Sequence, residues 1–179
     1  QADVDREVHR ILQRLSRRVG GHAEEIVQSL DALAVLDLAW AGGLLSRELD
    51  GVRAEISSTP SIRLTAARHP LLSLGDTPVV PNDLQIDAER SVLVLTGPNT
   101  GGKTVALKTV GLCAAMALSG LHIPADAPSQ VPLVPAIFSD IGDEQSLDES
   151  LSTFSGHLAN LQLILDRLEP GTLVLLDEL

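Results

Sequence analysis

Apolar positions change their rhythm several times along the chain, and each rhythm predicts an element. Val4, Val8, Ile11, Leu12, Leu15 and Val19 recur at helical intervals, predicting a helix over residues 3 to 19 that Gly20-Gly21 ends. A second helical pattern runs from about Ala23 to Leu49 through Ile26, Leu30, Leu33, Ala34, Leu38 and Ala41. Gly42-Gly43 offers it a place to bend or break, and unbroken it would be about 40 Å long. After Gly51 the period shortens to two at Ile62-Arg63-Leu64-Thr65-Ala66, which predicts a strand. "TPVVPNDLQID" predicts a loop and a short strand, and Ser91 to Leu95 a strand apolar on both faces, hence buried on both. Val105, Leu107, Val110, Leu112, Met116 and Leu118 mark a helix starting at Lys103. The Pro-rich "PADAPSQVPLVP" predicts a connector, Ala136 to Ile141 a strand, Ser152 to Leu168 a helix, and Thr172 to Leu176 a last buried strand. Strands alternating with helices predict an α/β fold.

The residues between the strand at 91 and the helix at 103 carry the chemistry. Gly97 to Thr104 reads G-x-x-x-x-G-K-T, the pattern of a phosphate-binding loop. Gly97, Gly101 and Gly102 permit backbone angles closed to other residues, so successive N–H groups can turn toward one anion. The helix opening at Lys103 would aim its positive end at the same point. Lys103 would reach the outer phosphates of a nucleotide, and the Thr104 hydroxyl would ligate Mg²⁺. A glycine-rich turn with a chance GKT is the competing reading. Asp177 and Glu178 follow the last strand, at the edge where ligands bind in α/β sheets. An aspartate there can hold Mg²⁺, and the next carboxylate can orient or deprotonate water. Together with the loop, the pair implies ATP hydrolysis. A strand ending in solvated acids is the alternative.

Composition narrows the setting. Apolar residues make up 44% of the 179, aromatics only 2%, so the core must rest on Leu, Val, Ile and Ala. The length suits one domain, or one domain with an appendage. Cys113 is the single cysteine and falls within the helix after the loop, which predicts a buried thiol. No apolar stretch looks long enough for a membrane span and no signal peptide is visible, so a cytoplasmic, membrane-free protein is expected. A net charge of −11 opposes binding to a phosphate backbone, so any grip on nucleic acid should lie largely elsewhere. Arg6, Arg10, Arg14, Arg17 and Arg18 could form a nucleic-acid stripe, but Asp3, Asp5 and Glu7 are interleaved with them, which favours a solvated helix face. His69, in "RHPLL", reads as a polar residue before a turn proline, with no metal set around it.

"GPNTGGKT", "DIGDEQS", "LSTFSGHL" and "LVLLDEL", in this order and spacing, resemble the ATPase domain of the MutS-type proteins. "RHPLL", "VPND" and "GLHIPA" narrow the resemblance to the second bacterial MutS branch, linked to suppression of recombination and to ribosome rescue more than to mismatch repair. The resemblance covers nearly the whole chain. It implies a P-loop NTPase of the ABC/MutS type with a mixed, mainly parallel sheet, incomplete here: a helical lever over residues 1–52, then the first part of the ATPase domain over 53–179.

On matching positions it implies that Gly97, Pro98, Asn99, Thr100, Gly101, Gly102, Lys103 and Thr104 hold the triphosphate and Mg²⁺. Asp143-Glu144-Gln145 resembles the Q-loop, with Gln145 at the nucleotide. Ser152 resembles the signature serine that reaches the ATP of the opposite subunit. Asp177 matches the Mg²⁺-linked aspartate and Glu178 the catalytic glutamate, acting with Lys103. The cofactors implied are ATP and Mg²⁺, and the partners ATP or ADP, a second copy through the ATPase domain, and DNA or ribosomes through parts of a longer protein. Recombination intermediates, mismatched DNA and ribosomal RNA are the nucleic acids implied, with an endonuclease in a domain outside this chain. In the family the chain continues past the glutamate into a Gly-rich loop and a switch histidine. Here it begins at Gln1 and stops at Leu179, so a fragment that turns over ATP poorly is expected. A nucleotide-gated dimerisation module with negligible turnover is the alternative. A related ABC-type ATPase fits less well, because "LSTFS" departs from an LSGG-like signature.

Overall fold

The computed structural model describes residues 1–98, 102–142 and 150–177, except for the side chains of 150–155. Contacts group the chain into two units, residues 1–43 and 44–179.

In the first unit, α1 spans Ala2–Gly20 and α2 begins at Ala23, running as one helix through Gly42-Gly43 to Glu48. Asp3 and Asp5 in the first turn of α1, and Arg17 and Arg18 in its last, complement the helix dipole. The arginines are exposed, and two pair with acids one turn away, Arg6 with Asp3 at 3.1 Å and Arg10 with Glu7 at 2.6 Å. The Arg10 guanidinium holds the Glu7 carboxyl below its usual range. That is the solvated face. Helix α2 corrects one expectation. An 18-residue window within it reaches a mean hydropathy of 1.3, enough by length and composition to cross a membrane. Between Ile26 and Ser46 only Asp31 and Asp37 are ionisable, so Leu, Val and Ala dominate every face. Each carboxylate at the centre of a bilayer would cost about 3 kcal/mol.

The second unit holds the core. Strands β1 (Glu55–Ser57), β2 (Ile62–Ala67), β3 (Asn82–Ile86) and β4 (Asp126–Pro132) form one sheet in the order β1-β4-β2-β3. Strands β5 (Ile137–Asp140) and β6 (Leu173–Leu176) form a second, parallel pair. A short α3 spans Pro70–Ser73, α4 spans Lys103–Leu118 and α5 spans Ser150–Arg167. Helix α4 joins the layers: Val110, Cys113, Ala114 and Ala117 share a buried cluster with Leu64 and Ala67 of β2, Val131 of β4 and Leu175 of β6. Among the described residues this cluster holds no aromatic side chain, as their scarcity leads one to expect.

Three expectations fail here. The Pro-rich "PADAPSQVPLVP" is not a mere connector, because β4 arises within it and pairs on both sides. Pro128 is tolerated where the β2–β4 ladder is irregular, and Pro132 ends the strand. The β2–β4 register shifts between Arg63 and Thr65, and side chains supply the missing bonds: the Thr65 N–H donates to Ser129 Oγ and its hydroxyl to the Pro128 carbonyl. Nor is the sheet mainly parallel. β1–β4 and β5–β6 are parallel, whereas β2 runs antiparallel to both β3 and β4. Finally, residues 91–95 form no strand. Among the described residues nothing pairs with them, and Val92 and Val94 stand 77% and 73% exposed where burial on both faces was expected.

Two titratable side chains in this unit lead to predictions. Cys113 is fully buried, and burial pushes its thiol up to about 12. The folded chain at pH 8 should therefore resist a thiol reagent such as DTNB, with labelling in urea tracking the unfolding transition seen by circular dichroism; rapid labelling of the folded chain would contradict the packing. His69 caps α3, its Nδ1 accepting the Leu72 N–H, and is 7% exposed. Burial, and then the Lys108 charge, lower its pKa from 6.5. The folded state prefers neutral imidazole, so this stabilisation is complete above pH 6.5 and is lost as pH falls below it. His69→Asn puts a capping oxygen in place of Nδ1 without the titration, and should flatten the fall of the urea midpoint between about pH 7 and 5. An unchanged slope would remove His69 from the account.

Candidate functional site

The site is assembled at the start of α4 and the tips of β5 and β6. Gly102, just before α4, has φ +78°, in the left-handed region that favours glycine, and its carbonyl accepts the Ala106 N–H as the helix begins. The turn sends Lys103 back across the loop, where its Nζ donates to the Gly97 carbonyl at 2.8 Å. Gly97 is itself at φ +149°. One residue on, the Thr104 hydroxyl donates to Asp177 Oδ2 at 2.7 Å. These two residues stand 73 positions apart in the chain, and α4 packing against β6 brings them together.

Close packing makes that approach possible. Gly111 faces Leu175, and a Cβ built on it would run into Leu175 Cδ1. At the strand tips the Asp177 N–H donates to the Asp140 carbonyl at 3.0 Å, continuing the parallel ladder one step past β6. Asp140 is 8% exposed. Its Oδ1 accepts from Asn160 Nδ2 at 2.9 Å, and His157 Nδ1 lies 2.7 Å from its Oδ2. Sequence reasoning passed over these three residues. The available signal was an acid ending a predicted strand, with His and Asn one turn apart on a predicted helix.

Of the residues singled out from sequence, the structure brings together Gly97, Gly102, Lys103, Thr104 and Asp177. Pro98 lies in the same loop and is exposed. Asn99, Thr100, Gly101, Gln145 and Glu178 lie outside the described residues, and Ser152 is placed only as a residue in the first turn of α5. No group of three or more His, Cys, Asp or Glu side chains forms a metal cage among the described residues. Thr104 and Asp177 do offer two hard oxygen donors at one point, suited to a Mg²⁺ that keeps most of its waters. A lysine, a glycine-rich turn, a helix N-terminus and an oxygen pair can together bind a phosphorylated, metal-chelating ligand.

Residues 93–179 match the family model described as MutS domain V. The chain is 51% identical over 173 residues to the endonuclease MutS2 of Symbiobacterium thermophilum, covering 97% of this chain and 21% of that protein. It is 47% identical over 190 residues to the endonuclease MutS2 of Thermomicrobium roseum, covering 100% of this chain and 24% of that one. The putative endonuclease MutS2 of Bacillus subtilis is 45% identical over 173 residues, 97% of this chain and 22% of the relative. The chain belongs to the MutS family, in its MutS2 branch. It spans between a fifth and a quarter of the length of these relatives. Within MutS2 terms, the match to domain V begins at Leu93 and so includes the loop, α4, the tips of β5 and β6, and α5.

Proposed function

We propose that this chain is the nucleotide-binding part of a MutS2-type ATPase, a P-loop NTPase of the ABC/MutS type that binds ATP with Mg²⁺ at Gly97–Thr104. The observation that carries the reading is the 2.7 Å contact between Thr104 and Asp177. A chance GKT turn has no reason to meet an aspartate at the tip of a strand 73 residues away, whereas a Mg²⁺–nucleotide site needs that pair. In this reading the loop amides and Lys103 hold the phosphates, and Thr104 and Asp177 hold the cation, which neutralises phosphate charge when bound. Glu178, the next residue along, orients and deprotonates the attacking water. Gln145 and Ser152 take the Q-loop and signature roles, the serine toward the ATP of a second copy. Nucleotide state then controls dimerisation, and residues 1–52 act as a lever toward DNA-contacting or ribosome-contacting parts of a longer protein. The names of the relatives favour an endonuclease in that protein. The acidic charge of this chain agrees with a nucleic-acid grip located elsewhere. The setting proposed is cytoplasmic.

The test is titration of a fluorescent ADP with and without Mg²⁺, followed by single-turnover hydrolysis at saturating ATP. Binding that strengthens with Mg²⁺, and turnover in the full-length protein, support the reading; no binding in either condition overturns it. The second reading, a nucleotide-gated dimerisation module with negligible turnover, corresponds to Mg²⁺-dependent binding and dimerisation without phosphate release.

A further inference from the structure

Asp140 is an expensive residue for its position. It ends a strand whose register with β6 is already set by backbone bonds from Ile137↔Leu173 to Asp140↔Leu176. A buried carboxylate there contributes nothing to pairing and costs desolvation unless it is well partnered. Among the described residues its side-chain partners come from α5. Asn160 Nδ2 donates to Oδ1 at 2.9 Å and reaches the Ser139 carbonyl at 3.3 Å. His157 and Asn160 are three apart on the helix, so they face the strand tip together. The imidazole Nδ1 stands 2.7 Å from Oδ2, close enough for an ion pair, and among the described residues Oδ2 has no hydrogen-bond partner. On its backbone side the same residue accepts the Asp177 N–H at 3.0 Å, and Asp177 accepts the Thr104 hydroxyl at 2.7 Å. Contacts therefore run without a break from α5, through Asp140 and Asp177, to the first turn of α4. Helix α5 carries Ser152 in its first turn, less than two turns before His157.

We propose that Asp140, His157 and Asn160 form a positioning cluster that locks α5 to the strand tip presenting Asp177, so that displacement of α5 is passed to the residue facing the bound cation. The inference rests on the reading of Asp177 as part of an ATP–Mg²⁺ site. None of the three residues touches nucleotide. They act through the Asp140 backbone, which makes the cluster a route by which an event at the start of α5 changes the placement of Asp177 without altering the phosphate loop.

Full-length His157→Leu and His157→Asn proteins test it. Leucine keeps bulk and loses the nitrogen, whereas asparagine places an N–H where Nδ1 was. Three quantities are read: hydrogen exchange at the Asp177 amide without nucleotide, Kd for fluorescent ADP, and kcat for ATP. With His157→Leu, exchange at Asp177 should rise about tenfold and kcat fall about 10- to 100-fold, as for supporting residues around other metal sites, with Kd within about threefold. His157→Asn should restore most of both. If His157→Leu fails to fold, Asn160→Leu takes its place, with wild-type exchange as reference. An unchanged Asp177 amide, kcat and affinity falling in proportion, or asparagine no better than leucine would each overturn the cluster. If the wild type binds no nucleotide, the ATP reading falls, while the exchange measurement still decides whether α5 holds Asp177.

Discussion

Replacing Lys103 with alanine is expected to weaken ADP and ATP binding at least about 100-fold. A charge-assisted contact contributes roughly 1.5–3 kcal/mol, and the ammonium would make two, to the outer phosphates. The side chain already spans the loop to the Gly97 carbonyl, so its loss removes a charge from the centre of the proposed site. Glu178→Gln in the full-length protein is the contrasting variant. It keeps shape and loses a carboxylate needed only for chemistry, so nucleotide affinity should hold while single-turnover hydrolysis falls about 10²-fold or more. Equal losses of affinity in the two variants would refute this division of labour.

Gly111→Ala should destabilise the chain, although alanine is the better helix former by about 1 kcal/mol. The added methyl meets Leu175 Cδ1, and Leu175 is only 5% exposed, with little space to turn into. Overpacking of this kind costs about 1–3 kcal/mol. The net loss should be up to about 2 kcal/mol by urea unfolding, larger still for Gly111→Val. Leu175 sits two residues before Asp177, so the same change should disturb the Thr104–Asp177 contact and weaken Mg²⁺-dependent binding. A double-mutant cycle isolates the cause. In a Leu175→Ala background, Gly111→Ala should turn from harmful to helpful. If Gly111→Ala stabilises the unaltered chain, α4 does not press on β6 at this point.

Local signals carried much of the fold. The helix start at Lys103 and the alternation at Ile62–Ala66 are decided within a few residues, and both reappear in place. Pairing is not local. Four prolines between Pro124 and Pro135 hid β4, because the partners that satisfy its irregular ladder, Thr65 above all, lie some 60 residues away. Residues 91–95 erred in the opposite direction: β-rich composition promised a strand, yet a strand exists only with a neighbour, and the described residues supply none. The site followed the same division. Lys103 and Thr104 were marked by one contiguous motif and Asp177 by a strand end, and what the structure adds is the contact between Thr104 and Asp177. The Asp140, His157 and Asn160 group was not, because it needs a strand and a helix 17 to 20 residues apart to meet, and no spacing rule encodes that meeting.

The end of α2 has a mechanical consequence. Arg68 donates to the Asp50 carbonyl at 3.1 Å and reaches that of Leu49 at 3.5 Å, Leu49 is 3% exposed, and Ser46 bonds His122 at 2.7 Å. The last turn of the helix is thus tied down by groups far from it in the chain. Helix ends ordinarily fray. This one can unwind only by breaking those bonds and exposing Leu49, so fraying here carries the cost of opening a core position.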